Sequence, residues 1–176
     1  MSGIERFFRI FDNRPSVVLP PEVPDKQVEK PVEIRPPIHV SKTPWFDLAH
    51  HELGVSETKN PKRVIEYLKS TTLESNLCVP STPWCSAFVC WCLEQAGVNS
   101  TKQAWAKSYL NFGFKTDRPN PGDIVVFSRG RASGHVAFFV SSGLFTVTVL
   151  GGNQGDQVCI KDYPKFRVLG YRTLIK

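Results

Sequence analysis

No apolar run in this chain of 176 residues approaches the length of a membrane span. The first ten residues carry Glu5, Arg6 and Arg9 among their hydrophobes, without the apolar centre and small-residue cleavage site of a secretory leader. The chain is therefore expected to be made in the cytoplasm and to act beyond it only after lysis or dedicated secretion. Five cysteines, Cys78, Cys85, Cys90, Cys92 and Cys159, are an odd set that excludes a fully paired framework within one chain. Cys90 and Cys92 lie about 200° apart on a helix, so they neither pair nor share a metal. A Cys78–Cys159 pair stays open on sequence grounds. Histidines number four, and His50-His51-Glu52 is not the H-E-x-x-H arrangement of a zinc site. No metal and no cofactor are expected. The net charge of +6 is scattered, with no dense basic patch or nucleic-acid motif, so a nucleic-acid partner is not expected. No internal repeat is present.

Proline divides the chain. Eight of the 14 prolines fall within residues 1–44. This predicts an extended arm without its own core between positions 15 and 44. Ahead of it Ile4, Phe7, Phe8 and Phe11 have helical spacing. Two readings are open for that segment: it docks on a partner or membrane surface, or it packs back on its own domain. Residues 45–176 hold 15 basic and 10 acidic residues and are expected to form the folded domain.

Within the domain, residues 45–53 read as a helix stopped by Gly54. Asn60 is placed as the cap of a second helix, with Val64, Ile65 and Leu68 buried. Residues 83–96 read as a third, capped by Ser81 or Thr82 and stopped by Gly97. Ser100 would cap a fourth, running through Leu110 to Gly113. The period then changes. Pro121-Gly122-Asp123 is a turn, and strands are predicted at 124–127, 134–140 and 144–150, with two more near 158–161 and 168–174. Helices followed by about five antiparallel strands predict an α+β fold.

The third helix organises the rest. Cys85, Phe88, Val89, Cys92, Leu93 and Ala96 form one apolar stripe, with Glu94 opposite. Cys85 heads that stripe in the first turn, where unpaired N–H groups and the helix dipole favour a thiolate. It reads as a nucleophile. A cysteine nucleophile needs a base, and the base an orienting group. His135 follows Gly134 at the start of a strand and shares a face with Ala137 and Phe139, so meeting Cys85 requires that face to meet the helix. Asn153, just after the next strand, is the first choice to orient the imidazole, with Gln154 and Asp156 as rivals. The oxyanion donors would be the Cys85 N–H and a neighbour such as Ser86. Among the tryptophans, Trp84 is the one chosen to line a substrate groove.

Trp84-Cys85-Ser86-Ala87-Phe88-Val89, Pro121-Gly122-Asp123-Ile124-Val125-Val126-Phe127, Gly134-His135-Val136-Ala137-Phe138 and Gly152-Asn153-Gln154 occur in this order. The ordered set resembles bacterial and phage cell-wall hydrolases, the NlpC-like peptidases and the cysteine, histidine-dependent amidohydrolase/peptidase (CHAP) group. That resemblance implies a papain-like fold, a helix-borne Cys85 facing an antiparallel sheet, His135 as base, and cleavage of amide bonds in peptidoglycan. Three positions depart from the patterns. Trp84 stands where NlpC-like enzymes usually have Asp. No histidine follows His135. Gly151 stands where the CHAP pattern places Glu.

The expected function is a peptidoglycan amidase or endopeptidase working through a thioester, as a phage lysin or an antibacterial effector reaching the periplasm or cell wall. Its partners would be peptidoglycan and, for an effector, an immunity protein over the cleft, with residues 1–44 serving a secretion or phage partner. A monomer is expected. The rivals are a non-catalytic wall or protein interaction module and an intracellular thiol amidohydrolase.

Overall fold

The chain divides into two units, Met1–Ile38 and His39–Lys176. The computed structural model describes residues 41–175, all within the second unit. The segment carrying Ile4, Phe7, Phe8 and Phe11 and the arm up to residue 40 lie outside the described residues.

Three helices come first: α1 (Pro44–His51), α2 (Pro61–Lys69) and α3 (Cys85–Gln95). Proline opens α1 and α2, where the missing N–H has no partner to lose. Glu52 ends α1 and ties it to α2. Its carboxylate takes two bonds from Arg63, at 2.8 and 2.5 Å, and one from the Tyr67 hydroxyl at 2.5 Å. Asn60 does not cap α2 with its side chain, which instead accepts from the Ser56 N–H at 3.3 Å.

The α3 helix departs from its expected amphipathic form. Every residue from Cys85 to Leu93 is buried, so it is a central helix wrapped on all sides. A helix apolar all round belongs in a core. The wrapping on its outer side comes from residues 101–103, which were expected to be helical. Ser86 Oγ donates to the Gln103 carbonyl at 2.6 Å, and the Cys90 thiol lies 3.8 Å from the same oxygen. Lys102 takes a left-handed φ of 53°. Committed to α3, this stretch stays irregular, and only a six-residue 3-10 turn, Ala106–Asn111, forms in place of a fourth helix.

The strands are β1 (Phe114–Thr116), β2 (Ile124–Ser128), β3 (Gly134–Ser142), β4 (Thr146–Gly151), β5 (Cys159–Pro164) and β6 (Val168–Thr173). They form one antiparallel sheet of order β1-β6-β2-β3-β4-β5, so the α+β expectation holds with one more strand than foreseen. The added strand, β1, is three residues long, too short for an alternation to register. Alternation sets the two faces. Ile124, Val126, Val136, Phe138 and Leu150 pack with the helices, Phe138 meeting Phe88 and Phe46. Val125, Phe127, Ala137, Phe139, Val147, Val149 and Tyr163 form a second cluster on the other face. Tyr163 of edge strand β5 packs on Phe127 of β2, with ring centroids 4.9 Å apart, and only Lys165–Arg167 links β5 to β6. The sheet therefore curls until β5 approaches β2 and β6. No helix among the described residues is long and apolar enough to cross a membrane.

Candidate active site

Cys85 is the first residue of α3, and Trp84 is its N-cap without any side-chain cap bond. The expected caps do not form; Thr82 Oγ1 donates to the Leu77 carbonyl instead. Helix formation leaves the first amides without acceptors, and no polar side chain has claimed them. The N–H groups of Cys85 and Ser86 are thus available to negative charge on Sγ, and they favour its ionised form.

The expected meeting of faces is corrected by the sheet. Val136 and Phe138, not His135, Ala137 and Phe139, face the helices. His135 lies on the curled inner face, where its ring is 5.2 Å from that of Tyr163 and stacks near Phe127 at 6.2 Å. Cys85 reaches the same point of β3 by another route. The β3–β4 pairing ends at Phe138–Leu150, leaving the margin of β3 near its start open to the tip of α3. There the main-chain N–H of Val136, the residue next to His135, favours negative charge on the sulfur.

The imidazole is held by Gln154. His135 Nε2 lies 3.1 Å from Gln154 Oε1. Gln154 Nε2 donates to the Cys159 carbonyl at 2.5 Å. A carbonyl only accepts, so the amide must turn its NH₂ to Cys159 and its oxygen to His135. The proton then sits on Nε2, and Nδ1 carries a lone pair. Nδ1 is buried and has no hydrogen-bond partner. Buried polar atoms are rarely left so, and here the orphan is the nitrogen that a base would use.

Asn153, the first choice for this contact, makes no side-chain hydrogen bond among the described residues. It turns the chain with a left-handed φ of 56°, a conformation asparagine tolerates. Asp156 is likewise left-handed, at φ 60°. Gly151 explains why Gln154 is favoured. A Cβ there would stand 2.7 Å from that of Ala137 and 3.3 Å from Gln154 Cδ. The Gln154 amide fills the space beside the position where the CHAP pattern has Glu.

Trp84 does not line a groove. It is fully buried against Tyr67, donates from Nε1 to Glu57 at 2.8 Å, and lies against Gly152. Ser86 Oγ is occupied by Gln103, so only its main-chain N–H faces the sulfur. The tryptophan that is exposed is Trp105, at 55%. Sequence reasoning passed over Tyr163 and Arg129. Tyr163 sits against the imidazole, and Arg129 Nη2 reaches its hydroxyl at 3.4 Å. Only the curl of the sheet brings these positions together.

Cys85 is 5% exposed. Burial pushes its thiol up, against the opposing pull of the Val136 N–H, the Arg129 charge and the helix-tip amides. This reverses the expected low value: desolvation outweighs the helix tip. Burial, aided by the Arg129 charge, holds the imidazole down at about 3 despite Gln154. At rest the Cys85 thiol and the His135 imidazole are therefore both neutral.

Residues 79–153 match the family model of the CHAP domain. This stretch is similar to the CHAP domain, of the cysteine, histidine-dependent amidohydrolase/peptidase type, and the papain-like expectation fits that match. No curated protein matches the chain. The CHAP match includes Cys85, His135 and Asn153 and stops one residue short of Gln154. The family is peptidoglycan-related.

Proposed function

We propose that the protein is a peptidoglycan amidase or endopeptidase in which Cys85 is the nucleophile, His135 the base and Gln154 the group that orients it. The observation carrying this reading is the fixed tautomer of His135, with an unpartnered lone pair on buried Nδ1. Sγ attacks the amide carbonyl as its proton passes to Nδ1. The oxyanion is met by the Cys85 and Ser86 N–H groups, and the imidazolium returns the proton to the leaving amine. Water then hydrolyses the thioester. Because burial disfavours both charges, the thiolate–imidazolium pair forms only as substrate is attacked, with the Val136 N–H and the helix tip supporting the sulfur. With the thiol so enclosed, side chains at the rim must move to admit a carbonyl.

The setting consistent with this chemistry is a lysin or antibacterial effector acting on the wall as a monomer. The test is turbidity loss of purified sacculi. Wild type should clear them and Cys85→Ala should not. Intact sacculi with wild type, or clearing by Cys85→Ala, would overturn the reading. The small exposure of the sulfur favours one rival, a wall-binding module without catalysis. That rival predicts sacculus binding that is equal in wild type and Cys85→Ala, with no soluble muropeptides released by either.

A further inference from the structure

Beside the imidazole lies a second feature. Ser128 at the end of β2, Arg129 and Gly130 just after it, and Phe166 and Arg167, which precede β6, line a pocket of about 450 Å³. The curl of the sheet assembles it from segments far apart in sequence. Neither Arg129 nor Arg167 has an ion-pair partner among the described residues. Unpaired guanidinium groups sharing one pocket favour a planar anion that accepts from both. Phe166 is 85% exposed and presents an apolar wall with the Arg167 guanidinium 5.9 Å from its ring centroid.

The pocket is braced rather than free. Lys107 Nζ donates to the carbonyls of Gly130 and Arg131, at 3.3 and 2.8 Å, and its stem lies across Gly134. The Arg129 N–H bonds the Ser133 carbonyl at 3.1 Å. It is also coupled to the catalytic centre, because Arg129 reaches Tyr163, whose ring lies against that of His135. A ligand held here would lie on the Tyr163 side of the imidazole.

We infer that Arg129 and Arg167 form a subsite for a free carboxylate of the substrate peptide, one flanked by a small apolar group that rests on Phe166. This rests on the hydrolase reading and deepens it: the enzyme selects stem peptides by a carboxylate near the bond it cuts.

The probes are sacculi, and soluble muropeptides made from them, in two forms: native, and with carboxylates converted to primary amides. The full chain should release products from native sacculi about tenfold faster than from amidated sacculi, the scale of one charge-assisted contact. In Arg167→Gln, and further in Arg129→Gln/Arg167→Gln, that ratio should fall toward one. Arg167→Lys should restore part of it. Binding of the two muropeptide forms to full-length Cys85→Ala should show the same preference, lost on adding Arg167→Gln. Equal digestion of both forms by wild type overturns the subsite and leaves the hydrolase standing. A ratio unmoved by the arginine substitutions does the same. Arginine-dependent binding of the native form without any cleavage supports the subsite and overturns the hydrolase. Absence of both binding and cleavage overturns both.

Discussion

Gln154 Oε1 and His135 Nε2 stand 3.1 Å apart, and the Gln154 amide is locked by its second bond to the Cys159 carbonyl. This relationship fixes which imidazole nitrogen is free. Gln154→Ala should lower the rate of sacculus clearing on the order of 10²-fold, the range ascribed to a positioned base. Gln154→Glu, which keeps an acceptor, should recover part of it. Asn153→Gly should retain both fold and activity, since position 153 needs a left-handed backbone rather than an amide. A larger loss from Asn153→Gly than from Gln154→Ala would return the orienting role to Asn153.

Alkylation of Cys85 tests the neutral resting pair. Burial raises the thiol, so its modification by iodoacetamide should be slow at neutral pH and climb only above the ordinary thiol range of about 8.5. Mass spectrometry of the labelled peptide separates Cys85 from the other four cysteines. Fast labelling of Cys85 well below pH 8 would mean that a thiolate–imidazolium pair is already present before substrate arrives.

Acid should destabilise the domain in a definite window. His135 is held at about 3 in the fold against 6.5 when free, so the unfolded chain takes up the proton first. Its contribution is complete above pH 6.5 and is lost as pH falls toward 3. Glu52 adds a loss of the same sign below its usual 4.5: burial pushes its carboxyl up, but bonds from Arg63 and Tyr67 outweigh that and hold it lower. Urea midpoints measured from pH 7 to pH 3 should fall through this range, and less steeply in His135→Gln. An identical slope in that variant would contradict the burial of a neutral imidazole.

Trp84 and Gly152 should behave as core residues. A Cβ at Gly152 would stand 2.4 Å from Trp84 Cζ3 and 2.7 Å from Phe88 Cβ. Gly152→Ala should therefore cost about 1–3 kcal/mol by overpacking. Trp84→Ala should cost about 3–5 kcal/mol by leaving a cavity. Denaturant titration gives both values. A Trp84→Ala variant of normal stability that has lost only wall binding would reinstate Trp84 as a groove residue.

Much was legible in the chain itself. The α3 helix with Cys85 at its head, the strand beginning at Gly134-His135 and the Pro121-Gly122-Asp123 turn follow from local rules of periodicity, glycine and proline. The turn does form, with Gly122 at φ 93° and its carbonyl accepting from Trp45 Nε1 at 2.8 Å. Local rules also narrowed the hydrogen-bond partner of the His135 imidazole to three neighbouring candidates, Asn153, Gln154 and Asp156, of which Gln154 makes the bond. They could not choose among them, because the choice depends on the room that Gly151 leaves opposite Ala137. Nor could they show that α3 is buried all round, since the covering stretch 101–103 is itself irregular. The sign of the thiol shift also lay beyond them. The helix tip is a local feature visible in sequence, whereas the desolvation that outweighs it comes from the whole surrounding fold. Arg129, Tyr163 and Arg167 became neighbours only because the sheet curls, and a curl is a property of six paired strands, not of any one segment.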